Sequence, residues 1–201
     1  MPTWIEAANM SPPVEIALLD YNTYGGLPSS IILRSGIISY RRYTGRDYYH
    51  MAHARNLSVL MSRGDYIMIM SADILLDKDV IAKIRDEINK GSNWILFKNY
   101  EGVIVIPRQE FIDAGGYDER FEFYGPEDRD LNDRLARRGN KRTVLTDGVS
   151  VIQTPKAQKS LNYRLPISRK KMKNLMKPIY LENTENKALV ANEGVEWGQW
   201  N

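Results

Sequence analysis

Two carboxylates stand where their surroundings would let them do chemistry. Asp73 closes the tripeptide Ser71-Ala72-Asp73 directly after YIMIM at 66–70, a run apolar on both faces, as expected of a buried parallel strand covered by helices. A carboxylate at that point can hold a divalent cation, which bridges two phosphates and neutralises a leaving group. A solvated acid in a strand-to-helix loop explains Asp73 equally well. Asp128 lies in Gly125-Pro126-Glu127-Asp128-Arg129-Asp130-Leu131. It shares a helix face with Leu131 and Leu135 by i,i+3 and i,i+7 spacing, so it points toward whatever the helix covers. There it could take a proton from an acceptor hydroxyl. The helix dipole alone would also favour Glu127 and Asp128 in a first turn. Asp130 with Arg134 and Asp133 with Arg137 have the i,i+4 spacing of surface ion pairs and take no functional role.

These residues need elements to hold them. Strands are expected at 14–20, 36–42, 66–70, 94–98 and 103–107, with one or two more in TVLTDGVSVIQ at 143–153. Helices are expected from His50 to Arg63 with Gly64 as the stop, from Asp77 to Gly91, over 108–114, and from Pro126 to Gly139. The connection at 99–102 suits a hairpin. Alternating strands and helices imply an α/β fold with a mostly parallel sheet. Ligands of such sheets bind beyond the carboxyl ends of the strands, where Asp20 and Asp73 both fall.

Beyond Thr154 the chain turns basic, with Arg169, Lys170, Lys171, Lys173 and Lys177 close together. This divides it into a domain over 1–154 and a basic extension over 155–201, expected to be partly mobile and to contact an acceptor or a membrane surface.

Composition removes several function classes. The chain of 201 residues has no cysteine, which excludes disulfides, thiolate metal sites and cysteine nucleophiles. The two histidines, His50 and His53, could share a helix face but lack a third metal ligand. Tyr40, Tyr43, Tyr48 and Tyr49 could stack on a sugar or base, though covering a sheet edge explains them as well. No apolar stretch reaches the roughly 20 residues needed to span a bilayer, and MPTWIEAANM lacks the features of a signal peptide. The expected location is the cytoplasm or the inner membrane surface, in a host cytoplasm if the chain is virus-encoded. The basic residues match no nucleic-acid-binding motif.

The segments ALLDYNTYGG, HARNLSVLMSRGDYIMIMSADILL and FIDAGGYDERFEFYGPEDRDLNDRLARRG together resemble family-2 glycosyltransferases and related GT-A enzymes. The likeness runs from about Trp4 to Gln153. It implies a three-layer α/β/α sandwich of Rossmann-like type, abbreviated at the N-terminus. It further implies transfer of a sugar from a UDP- or GDP-linked donor to a hydroxyl of a glycan, protein or lipid-linked acceptor, with inversion in one displacement. On the donor side the resemblance places Asp20, Asn22, Arg55, Asn56, Ser71 and Asp73, with Asp73 on a manganese or magnesium ion. Asp128 would be the general base, with Tyr117, Asp118 and Glu127 lining the sugar and acceptor side.

The sequence departs from the family pattern in three places. Ser71 occupies the first DxD position, leaving one carboxylate for the metal. Gln153 stands where many relatives carry a histidine. VEIALLD at 14–20 is either the family's second strand, with MPTWIEAAN as the remnant of the preceding helix, or its first strand with a later strand-helix unit lost. Two other functions fit less of the chain: a decayed fold that binds a glycan or partner without turnover, and a nucleotidyltransferase, for which Gly25-Gly26 makes a poor phosphate loop.

Overall fold

The computed structural model describes residues 2–23, 25–27, 36–155, 164 and 167–200. Tyr24 of the expected YNTYGG turn and most of 156–166 in the basic extension lie outside the described residues. In chain order the elements are α1 (Pro2–Met10), β1 (Ile16–Tyr21), β2 (Ile38–Tyr43), α2 (Met51–Met61), β3 (Tyr66–Ile69), β4 (Ile74–Leu76), α3 (Val80–Asn89), β5 (Trp94–Phe97), β6 (Tyr100–Pro107), α4 (Arg108–Asp113), α5 (Glu127–Arg137), β7 (Arg142–Leu145), β8 (Val149–Val151) and α6 (Arg169–Glu185).

The sheet in the middle has the order β3-β6-β5-β7. β5 and β7 pair in parallel, while β6 runs antiparallel to both β3 and β5. Three of its four strands therefore point the same way, as the alternating pattern implies. β6 is the exception because only Lys98 and Asn99 separate it from β5, and so short a connection can join only antiparallel neighbours.

Side-chain alternation along these strands builds two cores. Trp94 and Leu96 of β5 and Ile104 and Ile106 of β6 face a cluster with α2, α4, α5 and Met176 of α6. Ile95, Phe97, Val103 and Val105 face the opposite way, onto Trp4 and Ala7 of α1 and Val80 and Ile84 of α3. Successive strand residues point to opposite faces, so a strand apolar at every position needs a layer on each side. The result is the expected three-layer α/β/α sandwich.

β1 pairs with β2 in parallel and, among the described residues, with no other strand. Glu15, just before β1, accepts from the backbone N–H of Gly64, just before β3, so the two strands start together. Their facing edges line a cleft instead of pairing. Ile67 and Ile69 are buried, but Tyr66 is exposed and Met68 and Met70 are half-buried. The complete burial expected of YIMIM is thus not reached, because one edge of β3 borders open space.

Two other expectations are corrected. Asp130 and Arg134 are not a surface pair but fully buried, joined at 2.9 Å. The Arg134 guanidinium also donates to the carbonyls of Ala114 and Gly116, at 2.6 and 2.7 Å. A guanidinium can be buried there because each of its three nitrogens donates to an oxygen, one of them the carboxylate that balances its charge.

The C-terminal residues, expected as a mobile tail, are docked. Asn183 of α6 donates to both Asp118 and Asp130. Asn192 donates to the carbonyls of Gly115 and Tyr117, and Trp197 packs on the core. Gly115 has a φ of +72°, and a Cβ there would lie 2.0 Å from the Ala191 carbonyl oxygen, so the glycine admits the docked strand of chain. No helix among the described residues is long and apolar enough to cross a membrane.

Arg134→Met should cost about 3–5 kcal/mol in urea denaturation, because it leaves Asp130 a buried charge short of its partner. A loss typical of a surface pair, under about 1 kcal/mol, would contradict the buried network.

Candidate active site

A cleft of 1810 Å³ runs along the facing edges of β1 and β3 and opens beyond their carboxyl ends. One side is formed by α2, which starts where His50 caps it by accepting from the His53 backbone N–H. Burial holds the His50 imidazole neutral, down to about 4. Its Nε2 meets the Glu119 carbonyl and that of His53 the Gln199 carbonyl, so both rings are engaged in holding the fold.

Of the ten residues singled out by sequence, six line the cleft: Asn22, Arg55, Ser71, Asp73, Glu127 and Asp128. Arg55 comes from the middle of α2 and forms a close ion pair with Asp128 in the first turn of α5. The Tyr117 hydroxyl donates to the same oxygen, Asp128 Oδ1, at 3.1 Å, and the Arg55 guanidinium lies over the Tyr117 ring. Both contacts fall on Oδ1. Gly102 of β6 gives the pair room, since a Cβ there would sit 2.8 Å from Asp128 Oδ2 and 3.0 Å from the Arg55 guanidinium.

Glu127 is buried beside this pair. Burial pushes its carboxyl up to about 7, the Asp128 charge adds to the rise, and Arg55 opposes it. One guanidinium thus serves two carboxyls, and it only partly offsets the burial of Glu127.

The other four expected residues sit behind the cleft wall, and each has a physical reason. Asp20 is enclosed and accepts from the Thr23 backbone N–H and the Tyr40 hydroxyl, with Arg42 at 3.4 Å. Burial works to raise its carboxyl, but these donors and the Arg42 charge outweigh it and hold it low. Its oxygens therefore shape the turn that presents Asn22 instead of facing a base. Asn56 is buried, accepting from the Tyr117 N–H at 2.8 Å and donating to the Tyr117 carbonyl and Glu119. Tyr117 supports Asp128 from beneath. Asp118, expected on the sugar and acceptor side, is committed to Arg120 and Asn183.

Sequence reasoning missed Gly102 and took Tyr49 only as one of four tyrosines that could stack on a sugar or base; both line the cleft. Burial pushes the Tyr49 phenol up, Arg55 opposes this, and the charges of Glu127, Asp128 and Asp73 add to it. Tyr49 thus shares the cleft lining with all three carboxyls. The signal for Gly102 was present, because a glycine inside a strand often marks a close approach.

As a metal ligand Asp73 has little protein help. Ser71 beside it is exposed, and no group of three His, Asp or Glu side chains is placed to hold an ion among the described residues. A divalent cation fits here only if the phosphates of a ligand supply oxygens alongside the single carboxylate, as magnesium sites often arrange.

The catalytic domain of Drosophila beta1,4galactosyltransferase 7, in complex with xylobiose, matches with a TM-score of 0.53 over 80% of this chain and 79% of that one, at 16% identity. The fold is that of a GT-A glycosyltransferase domain. TarS of S. aureus matches this GT-A domain with a TM-score of 0.50 at 11% identity, over 73% of it and 33% of TarS. A family described as the N-terminal domain of galactosyltransferase matches residues 97–165, the stretch carrying β6, α4 and the Glu127-Asp128 turn. No curated protein matches the GT-A domain in sequence.

Glu127 gives a pH test. With its folded carboxyl up at about 7 against an ordinary 4.5, the folded state holds a proton the unfolded chain has already lost. Stability from this group is therefore lost as pH rises from about 4.5 to 7. Glu127→Gln has no such proton, so thermal denaturation should show the variant gaining on the parent between pH 5 and pH 8. A difference that stays flat with pH would contradict the raised carboxyl.

Proposed function

We propose that this GT-A domain transfers a sugar from a nucleoside-diphosphate sugar, UDP- or GDP-linked, to an acceptor hydroxyl with inversion at the anomeric carbon. One observation carries the reading: a cleft beyond the carboxyl ends of β1 and β3 holds Asp73 on one element and the Arg55-clamped Asp128 on another. A family match that includes the Glu127-Asp128 turn supports the same reading.

Asp128 is the proton acceptor. Arg55 and Tyr117 hold Oδ1, which fixes the carboxylate's orientation, and Oδ2 receives the acceptor's hydroxyl proton. As that proton leaves, the acceptor oxygen bonds to the anomeric carbon. The bond from that carbon to the diphosphate oxygen breaks, and its electron pair departs with the nucleoside diphosphate. Asp73 would hold manganese or magnesium together with phosphate oxygens, and such a cation neutralises charge on the departing group. Asn22, presented by the Asp20-anchored turn, lines the same cleft and would contact the donor.

Calorimetric titration with UDP and GDP, with and without manganese, tests the donor class. Binding of one nucleotide is expected, and binding of neither would sink the reading. Asp128→Asn should lower transfer by about 10²–10⁴-fold, the range of a lost general base, while nucleotide affinity stays within about twofold. Unchanged turnover would remove Asp128 from the chemistry. Asp73→Ala should abolish the part of nucleotide affinity that manganese adds, and an unaltered manganese response would remove its metal role. A parent chain that binds donor yet never transfers or hydrolyses it would instead be a glycan- or partner-binding module.

A further inference from the structure

The cleft contains more positive charge than its proposed chemistry uses, and that surplus comes from outside the family-matched stretch or at its very edge. Arg169, the first residue of α6, lines the cleft together with Tyr124, Glu127 and Asp128. Its guanidinium carbon lies 3.9 Å from the centre of the Tyr124 ring, and the Lys173 ammonium lies 5.1 Å from the same ring. Arg169 Nε is shielded from solvent and has no hydrogen-bond partner among the described residues. Arg164 lines the cleft as well, and donates at 2.7 Å to the backbone carbonyl of Asn22, which also lines it. Arg55, by contrast, is already neutralised by Asp128.

We infer that Arg169 and Arg164 form a cationic diphosphate-binding edge of the cleft. The inference rests on the transferase reading and adds to it which protein groups hold the leaving group. A nucleoside diphosphate carries several negative charges, whereas the protein offers one carboxylate for a bridging cation. Guanidinium groups bind phosphate oxygens through paired N–H donors, and a guanidinium stacked on an aromatic ring keeps its in-plane donors free. Tyr124 thus fixes the plane of Arg169 and leaves its edge for the ligand. Arg164 does the corresponding work beside Asn22, where its bond to a backbone carbonyl holds it in the cleft lining.

The test titrates the full chain, its Arg169→Gln and Arg169→Lys variants and Arg164→Gln with UDP, GDP, the matching nucleosides and pyrophosphate, without manganese. Thermal unfolding confirms that each variant is folded. For the nucleotide the parent binds, Arg169→Gln should weaken diphosphate binding by about tenfold or more, in keeping with loss of a charge-assisted pair. Nucleoside binding should remain within about twofold of the parent, and Arg169→Lys should recover only part of the loss. Arg164→Gln should behave in the same direction. Equal losses for nucleoside and diphosphate, or no loss for either, would overturn the inference while leaving the transferase reading intact. If the parent binds neither nucleotide even when manganese is added, the transferase reading falls first and takes this inference with it, whereas binding that appears only with manganese would overturn this inference alone.

Discussion

A single buried amide fixes the geometry on which the site depends. Asn56 uses its oxygen and its nitrogen to pair with both backbone groups of Tyr117, and its nitrogen also reaches Glu119. A buried amide with its polar atoms satisfied is stable, and one deprived of a partner costs on the order of 1–3 kcal/mol. The pairing therefore locks the 115–119 segment against α2. Because neighbouring residues on a helix diverge in direction, holding Asn56 toward that segment sends Arg55 to the cleft face. Gly116 is the concession that makes the approach possible, since a Cβ there would lie 2.6 Å from the Asn56 oxygen. The same segment then receives the C-terminal residues through Asn192 and Trp197.

From this lock follows the electrostatic arrangement. Burial opposes the charge on Arg55, but Asp128 more than compensates and holds the guanidinium firmly ionised. Asp128 is thereby held in one orientation by Arg55 and the Tyr117 hydroxyl, and Glu127, sharing the same cation from a more enclosed position, is pushed toward the neutral acid. The raised carboxyl of Glu127 is thus set by its surroundings, burial first and the neighbouring Asp128 charge second. The clamp on one oxygen of Asp128 also limits the directions from which an acceptor can approach, which suits a reaction needing an in-line displacement.

The second lock is the polar network beneath α6. Asp118, Arg120, Asp130 and Asn183 satisfy one another where the helix meets the domain, while Met172 and Met176 bury its apolar face. The lysines on its other side remain exposed. α6 is thus part of the domain, and its first turn delivers Arg169 to the cleft.

The sequence by itself determined most of the elements between β1 and β8 and singled out two carboxylates, whereas β4 and α6 were not among the expected elements. Continuous apolar runs at 94–97 and 103–106 demand a layer on each face, and Asp73 and Asp128 follow from strand-end and helix-face position. Local periodicity suffices for these because each depends on residues close in the chain. Tertiary structure alone decided which polar residues face the cleft. Asp130 with Arg134 has the spacing of a surface pair and is buried, and Asp20, Asn56, Tyr117 and Asp118 lie behind the wall. Tyr49 and Arg169 reach the cleft from segments whose composition favoured plainer readings. Their placement depends on contacts between residues far apart in the chain, such as Arg55 with Asp128 or Asn183 with Asp118. No local pattern encodes the partner of a buried polar group, because that partner is chosen only when the layers close on one another.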